Sequence, residues 1–86
     1  MTTSLIIPAY NEEEAIGLVI EEYYPCVDEI IVVDDGSKDK TYEIASHYQD
    51  AKVHVFQHIQ NQGKVGALLT GVRKSTGDII VFTDAD

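Results

Sequence analysis

The sequence predicts an α/β fold, a Rossmann-like open parallel sheet with helices on both faces, and three observations predict it. Four short apolar runs alternate with three segments of helical spacing, in the order β-α-β-α-β-α-β. Crossovers of roughly 10–15 residues between the runs are the length that parallel strands require. Two of the runs are near-continuous in hydrophobicity, as strands buried on both faces should be.

The strands are expected at Leu5-Ile6-Ile7, Ile30-Ile31-Val32-Val33, Val53-His54-Val55-Phe56 and Ile79-Ile80-Val81-Phe82, each rich in β-branched or aromatic residues. The first helix is expected to start at Asn11, whose side chain can cap free amides, with Glu12, Glu13 and Glu14 adding negative charge to the first turn. Ile16, Val19, Ile20 and Tyr23 follow helical spacing and Pro25 ends the run. A second helix is expected over residues 39–48, with Thr41, Ala45 and Tyr48 on one face. A third is expected over 63–75, with Leu68, Val72 and Ser75 in register, Leu69 beside them and Gly77 as a stop signal.

At 86 residues, the chain has room for one small domain. Its 44% hydrophobic and 24% charged residues are ordinary for a globular protein. A net charge of -9 argues against a nucleic-acid backbone as partner, which needs a basic face. Such a surface still accepts a nucleotide when a divalent cation stands between them. Cys26 is the single cysteine, so an internal disulfide is impossible and a reducing compartment is expected. The start, Met1-Thr2-Thr3-Ser4, has no basic region followed by an apolar stretch, and no run approaches the ~18–20 apolar residues of a membrane span.

In parallel sheets ligands bind at the carboxyl ends of the strands, where the strand order reverses. After the first strand comes Pro8-Ala9-Tyr10-Asn11-Glu12; proline ends a ladder and Tyr10 offers a flat face to a base, although a plain strand-to-helix turn has the same composition. After the second comes Asp34-Asp35-Gly36-Ser37. Asp35 is suited to accept hydrogen bonds from a base or ribose, while Gly36, Ser37 and Asp39 suit a turn and cap. After the third, Asn61-Gln62-Gly63-Lys64 makes either an anion site at a helix start or a loop with a surface lysine. The fourth strand leads into Asp84-Ala85-Asp86. Carboxylates two apart on an extended chain point the same way, roughly 6.5–7 Å apart, and suit Mg²⁺ or Mn²⁺. His47, His54 and His58 lack ligand spacing and read as structural, as do Tyr23, Tyr24, Tyr42 and Tyr48.

Taken in order, these segments resemble family 2 glycosyltransferases with the GT-A fold, including polyprenyl-phosphate sugar synthases. The likeness rests on Ile6-Ile7-Pro8-Ala9-Tyr10-Asn11-Glu12, Ile31-Val32-Val33-Asp34-Asp35-Gly36-Ser37, Asn61-Gln62-Gly63-Lys64 with Ala67-Leu68, and Gly77-Asp78 through Asp84-Ala85-Asp86. The resemblance implies a UDP- or GDP-sugar donor, a divalent metal and sugar transfer with inversion. By position it implies that Pro8, Ala9, Tyr10 and Glu12 line the nucleoside pocket and that Val33 and Asp35 surround the base. It places Asp84 toward ribose and metal, Ala85 against the nucleotide by its backbone, Asp86 on the metal and Lys64 near the diphosphate. Val65 departs from it, since many relatives carry glycine after the lysine.

The general base and acceptor pocket are implied beyond residue 86, so residues 1–86 are expected to be the nucleotide-sugar-binding portion, truncated after Asp-x-Asp and inactive alone. The acceptor is open, a lipid phosphate at a membrane being one option, and the expected location is the cytoplasm or the cytoplasmic membrane face. A non-catalytic nucleotide-binding fragment that self-associates through its exposed last strand is the alternative. A phospho-acceptor signalling domain is a weaker rival, because His58 and Gln60 stand where an acceptor Asp should follow the third strand. A sugar nucleotidyltransferase lacks support because no glycine- and arginine-rich loop follows the first strand.

Overall fold

A computed structural model describes residues 1–85. The strands are β1 (Thr3–Ala9), β2 (Glu29–Asp34), β3 (Val53–Gln57) and β4 (Ile79–Phe82); the helices are α1 (Ile16–Tyr23), α2 (Thr41–Ser46) and α3 (Gly63–Lys74). A short 3₁₀ turn, Tyr24–Cys26, closes α1 at Pro25. The four strands form one parallel sheet in the order β3-β2-β1-β4. The chain therefore builds outward from β1 to β3 and then returns to the other side of β1. That reversal puts a crevice between the carboxyl ends of β1 and β4.

Strand alternation sorts the core into two layers. Leu5, Ile7, Ile30 and Val32 pack against Ile16 and Ile20 of α1 and Ala45 of α2. Ile6, Ile31 and Val33 pack on the opposite face against Ala67 of α3. β1 and β2 are covered on both faces, as their continuous hydrophobicity requires, whereas Ile79, Val81 and Phe82 of edge strand β4 stay well exposed.

Three local expectations need correction. Helix α1 begins at Ile16 rather than Asn11, and no side chain caps it. Asn11 instead adopts a left-handed backbone, φ 54°, and its Oδ1 accepts a bond from Lys38 N at 2.9 Å. It crosses to the loop after β2 because four reciprocal bonds join the two loops there. Asn11 N donates to Ser37 Oγ, Glu12 N to Thr41 Oγ1, Glu13 N to Asp39 Oδ2 and Lys40 N to Glu13 Oε1.

The second concerns α3: of the register Leu68, Val72 and Ser75 only Leu68 packs, partly buried, against the core, while the fully buried residues are Ala67 and Gly71. Leu69 and Val72 are exposed, at 50% and 39%. Small residues win the inner face because the helix lies so close to β1 that a Cβ on Gly71 would stand 2.3 Å from Ile6 Cγ2. The third is Pro8, which lies inside β1 and pairs with Val33, so the ladder to β2 runs past it. Only the ladder to β4 stops short, its last bond being Thr83 N to Ile6 O. The missing amide hydrogen of Pro8 thus opens the sheet on the side of the crevice.

The opposite, amino end of the sheet is tied by Glu29. Its Oε1 accepts bonds from Ser4 Oγ at 2.7 Å and Thr76 N at 2.9 Å, and its Oε2 from Thr76 Oγ1 at 3.1 Å. Burial pushes the Glu29 carboxyl up, but the bonds from Thr76 and Ser4, with His54 nearby, outweigh it and hold the group below its ordinary value. A carboxyl lowered in the folded state stabilises the fold fully above the unfolded pKa, and that contribution disappears as pH falls through the lowered value. The hydrogen-bonded Asp39 and Asp50 are lowered too and act in the same sense. The thermal midpoint should therefore fall between about pH 5 and about pH 3. Glu29→Gln should make that fall shallower, and an acid limb identical to the parent's would exclude Glu29 as a contributor.

Candidate donor site at the sheet switch point

The crevice between β1 and β4 is the mouth of a cleft of about 330 Å³. From the end of β1 it is lined by Pro8, Ala9, Tyr10 and Glu12, and from the end of β2 by Asp35. Asn61, Gly63, Lys64 and Ala67 contribute from the entry and first turns of α3, and Asp84 and Ala85 from the segment after β4. Four loops far apart in sequence meet here because parallel strands all end on one edge.

Alternation along β2 separates the two adjacent aspartates. Asp34 is fully buried beside Ala9, its Oδ2 accepting from Ser37 N at 3.2 Å while Oδ1 has no hydrogen-bond partner among the described residues. Asp35 alone reaches the cleft, and it is only 3% exposed. Its Oδ1 lies 2.8 Å from His58 Nδ1 and accepts from Gln62 N at 2.8 Å, while Oδ2 accepts from Gly63 N at 2.9 Å. The carboxylate therefore fills part of the anion site at the start of α3, leaving less of it for a ligand than the sequence implied. Gly36 supports the same junction. With φ 75° it brings the loop so near Asn61 N that a Cβ would lie 2.8 Å away.

Tyr10 is 42% exposed beside the cleft, so a ring face is available for stacking. Lys64 Nζ stands 2.5 Å from Asp84 Oδ1, both side chains more than half exposed. Ala85 is buried at the cleft wall and packs with the core layer under α1. Val65 is 70% exposed and does not line the cleft, so its departure from the expected glycine leaves the Lys64 side unobstructed.

Two expected site residues fall elsewhere. Val33 is wholly buried in the core layer under α3 and does not line the cleft, because it stands two residues before Asp35 on the same face, inside the sheet rather than at its edge. Asp86 lies outside the described residues. Asn61, Gly63 and Ala67 also line the cleft, although the sequence reading does not include them among the site residues, and the contacts of His58 with Asp35 and Thr70 have no local signal in the sequence.

The donor chemistry of the site fits a hard divalent cation. Asp84 is an exposed carboxylate that already attracts one positive charge, and Asp86 follows two residues later. No cluster of three or more potential ligand side chains occurs among the described residues. Mg²⁺-type sites commonly need only one or two protein carboxylates, with substrate phosphates and water supplying the rest.

The profile described as "Glycosyl transferase family 2" matches residues 4–86. This chain belongs to glycosyltransferase family 2. It is 36% identical to the human dolichyl-phosphate beta-glucosyltransferase, covering 96% of this chain and 30% of that protein. It is 41% identical to a UDP-N-acetylglucosamine–dolichyl-phosphate N-acetylglucosaminyltransferase of Methanococcus voltae, covering 95% of this chain and 40% of that one. Among solved structures it superposes on Mycobacterium tuberculosis glucosyl-3-phosphoglycerate synthase bound to Mn²⁺, UDP-glucose and phosphoglyceric acid. The TM-score there is 0.84 at 36% identity, over 99% of this chain and 33% of the other.

The family 2 chain thus spans about a third of the relatives it matches. Its structural neighbours are GT-A glycosyltransferases, in agreement with the four-stranded parallel sheet. No helix among the described residues is long and apolar enough to cross a membrane.

Proposed function

We propose that this chain forms the donor site of an inverting glycosyltransferase that takes a sugar from a nucleoside-diphosphate sugar and passes it to a polyprenyl phosphate. The observation that carries this reading is the cleft at the switch point, where a half-exposed aromatic ring, a braced carboxylate, a lysine and an exposed aspartate converge. UDP is favoured over GDP because the similar mycobacterial enzyme is solved with UDP-glucose and Mn²⁺. The polyprenyl phosphate follows the names of the dolichyl-phosphate relatives, and it would bring the reaction to the cytoplasmic face of a membrane.

In this reading Tyr10 stacks on the base, Asp35 accepts a hydrogen bond from its edge, and Pro8, Ala9 and Glu12 complete the nucleoside pocket. Val33 contributes only by anchoring the end of β2 in the core. Asp84 and Asp86 hold Mg²⁺ or Mn²⁺, with the Ala85 backbone against the nucleotide. A cation held there would supply positive charge to balance the diphosphate. Lys64 adds a second positive charge beside it, and moves from Asp84 toward the phosphates as the donor enters.

No described carboxylate in the cleft is assigned as general base, because Asp35 is occupied by three contacts, Glu12 is assigned to the nucleoside pocket and Asp84 would hold the cation. The 86-residue chain should bind nucleotide weakly and transfer no sugar, and radiolabelled sugar transfer by it would contradict this. Calorimetric titration with UDP and GDP, with and without Mn²⁺, tests the site directly. Binding should require metal, and Asp84→Ala should weaken it at least about tenfold, the loss of one charge-assisted contact. Metal-independent binding that survives Asp84→Ala would sink the assignment.

The outer edge of β4, which pairs with no strand among the described residues and leaves Ile79 43% and Phe82 54% exposed, supports self-association of this chain. Light scattering should show the apparent mass rising with concentration; a constant monomer mass would count against it.

A further inference from the structure

His58 joins two parts of the cleft that nucleotide binding uses separately. Its ring sits at the exit of β3, 9% exposed, and does not itself line the cleft. Nδ1 lies 2.8 Å from Asp35 Oδ1, and Nε2 lies 2.8 Å from Thr70 Oγ1 on α3. A carboxylate only accepts, so the Nδ1–H donates to Asp35; in the neutral ring Nε2 then accepts the Thr70 hydroxyl proton. Asp35 also accepts from Gln62 N and Gly63 N at the start of the same helix. The bonds thus close a ring from the end of β2 through His58 to Thr70 and back through the first turn of α3. Hydroxyl, imidazole and carboxylate in sequence can also activate a nucleophile, but Thr70 does not line the cleft, so no substrate meets it there.

We propose that His58 is a positioning residue for nucleotide recognition, holding Asp35 as a pure acceptor toward the base and locking it to the helix that carries Lys64. The proposal rests on the donor-site reading above. A carboxylate offers about four acceptor positions, and the described contacts with His58, Gln62 and Gly63 use three. The remaining position suits the ring N–H of uracil or guanine. It disfavours cytosine, whose corresponding ring nitrogen is an acceptor, and leaving two acceptors facing each other is costly.

The test is calorimetric titration of the chain with UDP and CDP in Mn²⁺, using His58→Ala, His58→Asn and Thr70→Val. His58→Ala should lower UDP affinity by about tenfold, the loss of one hydrogen bond to a charged group, and narrow the preference for UDP over CDP. His58→Asn keeps an N–H near the Nδ1 position and should restore the preference. Equal losses for UDP and CDP, or none, would overturn the proposal. If His58→Ala does not fold, Thr70→Val decides, since it leaves the ring in place but unbraced; an unchanged UDP-to-CDP ratio there overturns it too. If the parent binds neither nucleotide, the donor-site reading itself fails. His58 is then judged by whether Thr70→Val shifts the amide resonances of Gln62 and Gly63, and unmoved resonances would refute the coupling.

Discussion

Asp35→Ala is expected to lower the unfolding free energy by about 2–4 kcal/mol and to abolish measurable UDP binding. The stability loss follows from three donors that share one carboxylate: the His58 ring, Gln62 N and Gly63 N. A buried donor stripped of its acceptor costs about 1–3 kcal/mol, and water entering from the adjoining cleft should recover part of that sum. The binding loss follows because the same carboxylate is the acceptor proposed to read the base. Asp35→Asn separates the two effects. Its amide oxygen can still accept from the start of α3, so stability should fall less, while the amide hydrogens spoil the acceptor face. Urea unfolding and calorimetry on both variants would check this. Full stability in Asp35→Ala would show that the junction at α3 is held by something else.

Gly71→Ala is the second large expected effect. Alanine normally favours a helix interior over glycine by about 1 kcal/mol, so propensity alone predicts stabilisation. Packing predicts the reverse. The added Cβ would meet Ile6 Cγ2 at 2.3 Å and two further Ile6 atoms at 3.2 Å. Ile6 is fully buried and β-branched, so it has little rotamer freedom with which to yield. The helix must then lift from β1, opening the contact at Ala67 and moving Gly63 and Lys64 at the cleft. Overpacking of this kind costs about 1–3 kcal/mol, enough to outweigh the propensity gain. The urea midpoint should fall with an unchanged slope, and UDP affinity should fall with it. A raised midpoint would mean that helix and strand can separate freely.

Family membership in glycosyltransferase family 2 was legible because four motifs recur at the ends of four apolar runs. Most of the cleft was legible for the same reason: Pro8, Tyr10, Glu12, Asp35, Lys64 and Asp84 all sit where a parallel sheet delivers its ligands. Val33 does not line the cleft because, although it shares a face with Asp35, it stands two residues deeper in the sheet, where α3 covers it. Asn11 was misread as a helix cap because asparagine before a helix usually is one. Its real partner, Lys38 N, is 27 residues away.

By itself the sequence determined the alternation of strands and helices, the parallel sheet, the core of β1 and β2, and the acidic character of one sheet edge. Each of these depends on local periodicity or on residue type, which a linear chain displays openly. Only the tertiary structure decided the strand order that opens the crevice beside Pro8, the small-residue face of α3, and the ring of bonds through Asp35, His58 and Thr70. Those features depend on how closely two elements approach and on which polar groups then face each other across them. Close approach is decided by the whole packed core, and no local pattern carries it.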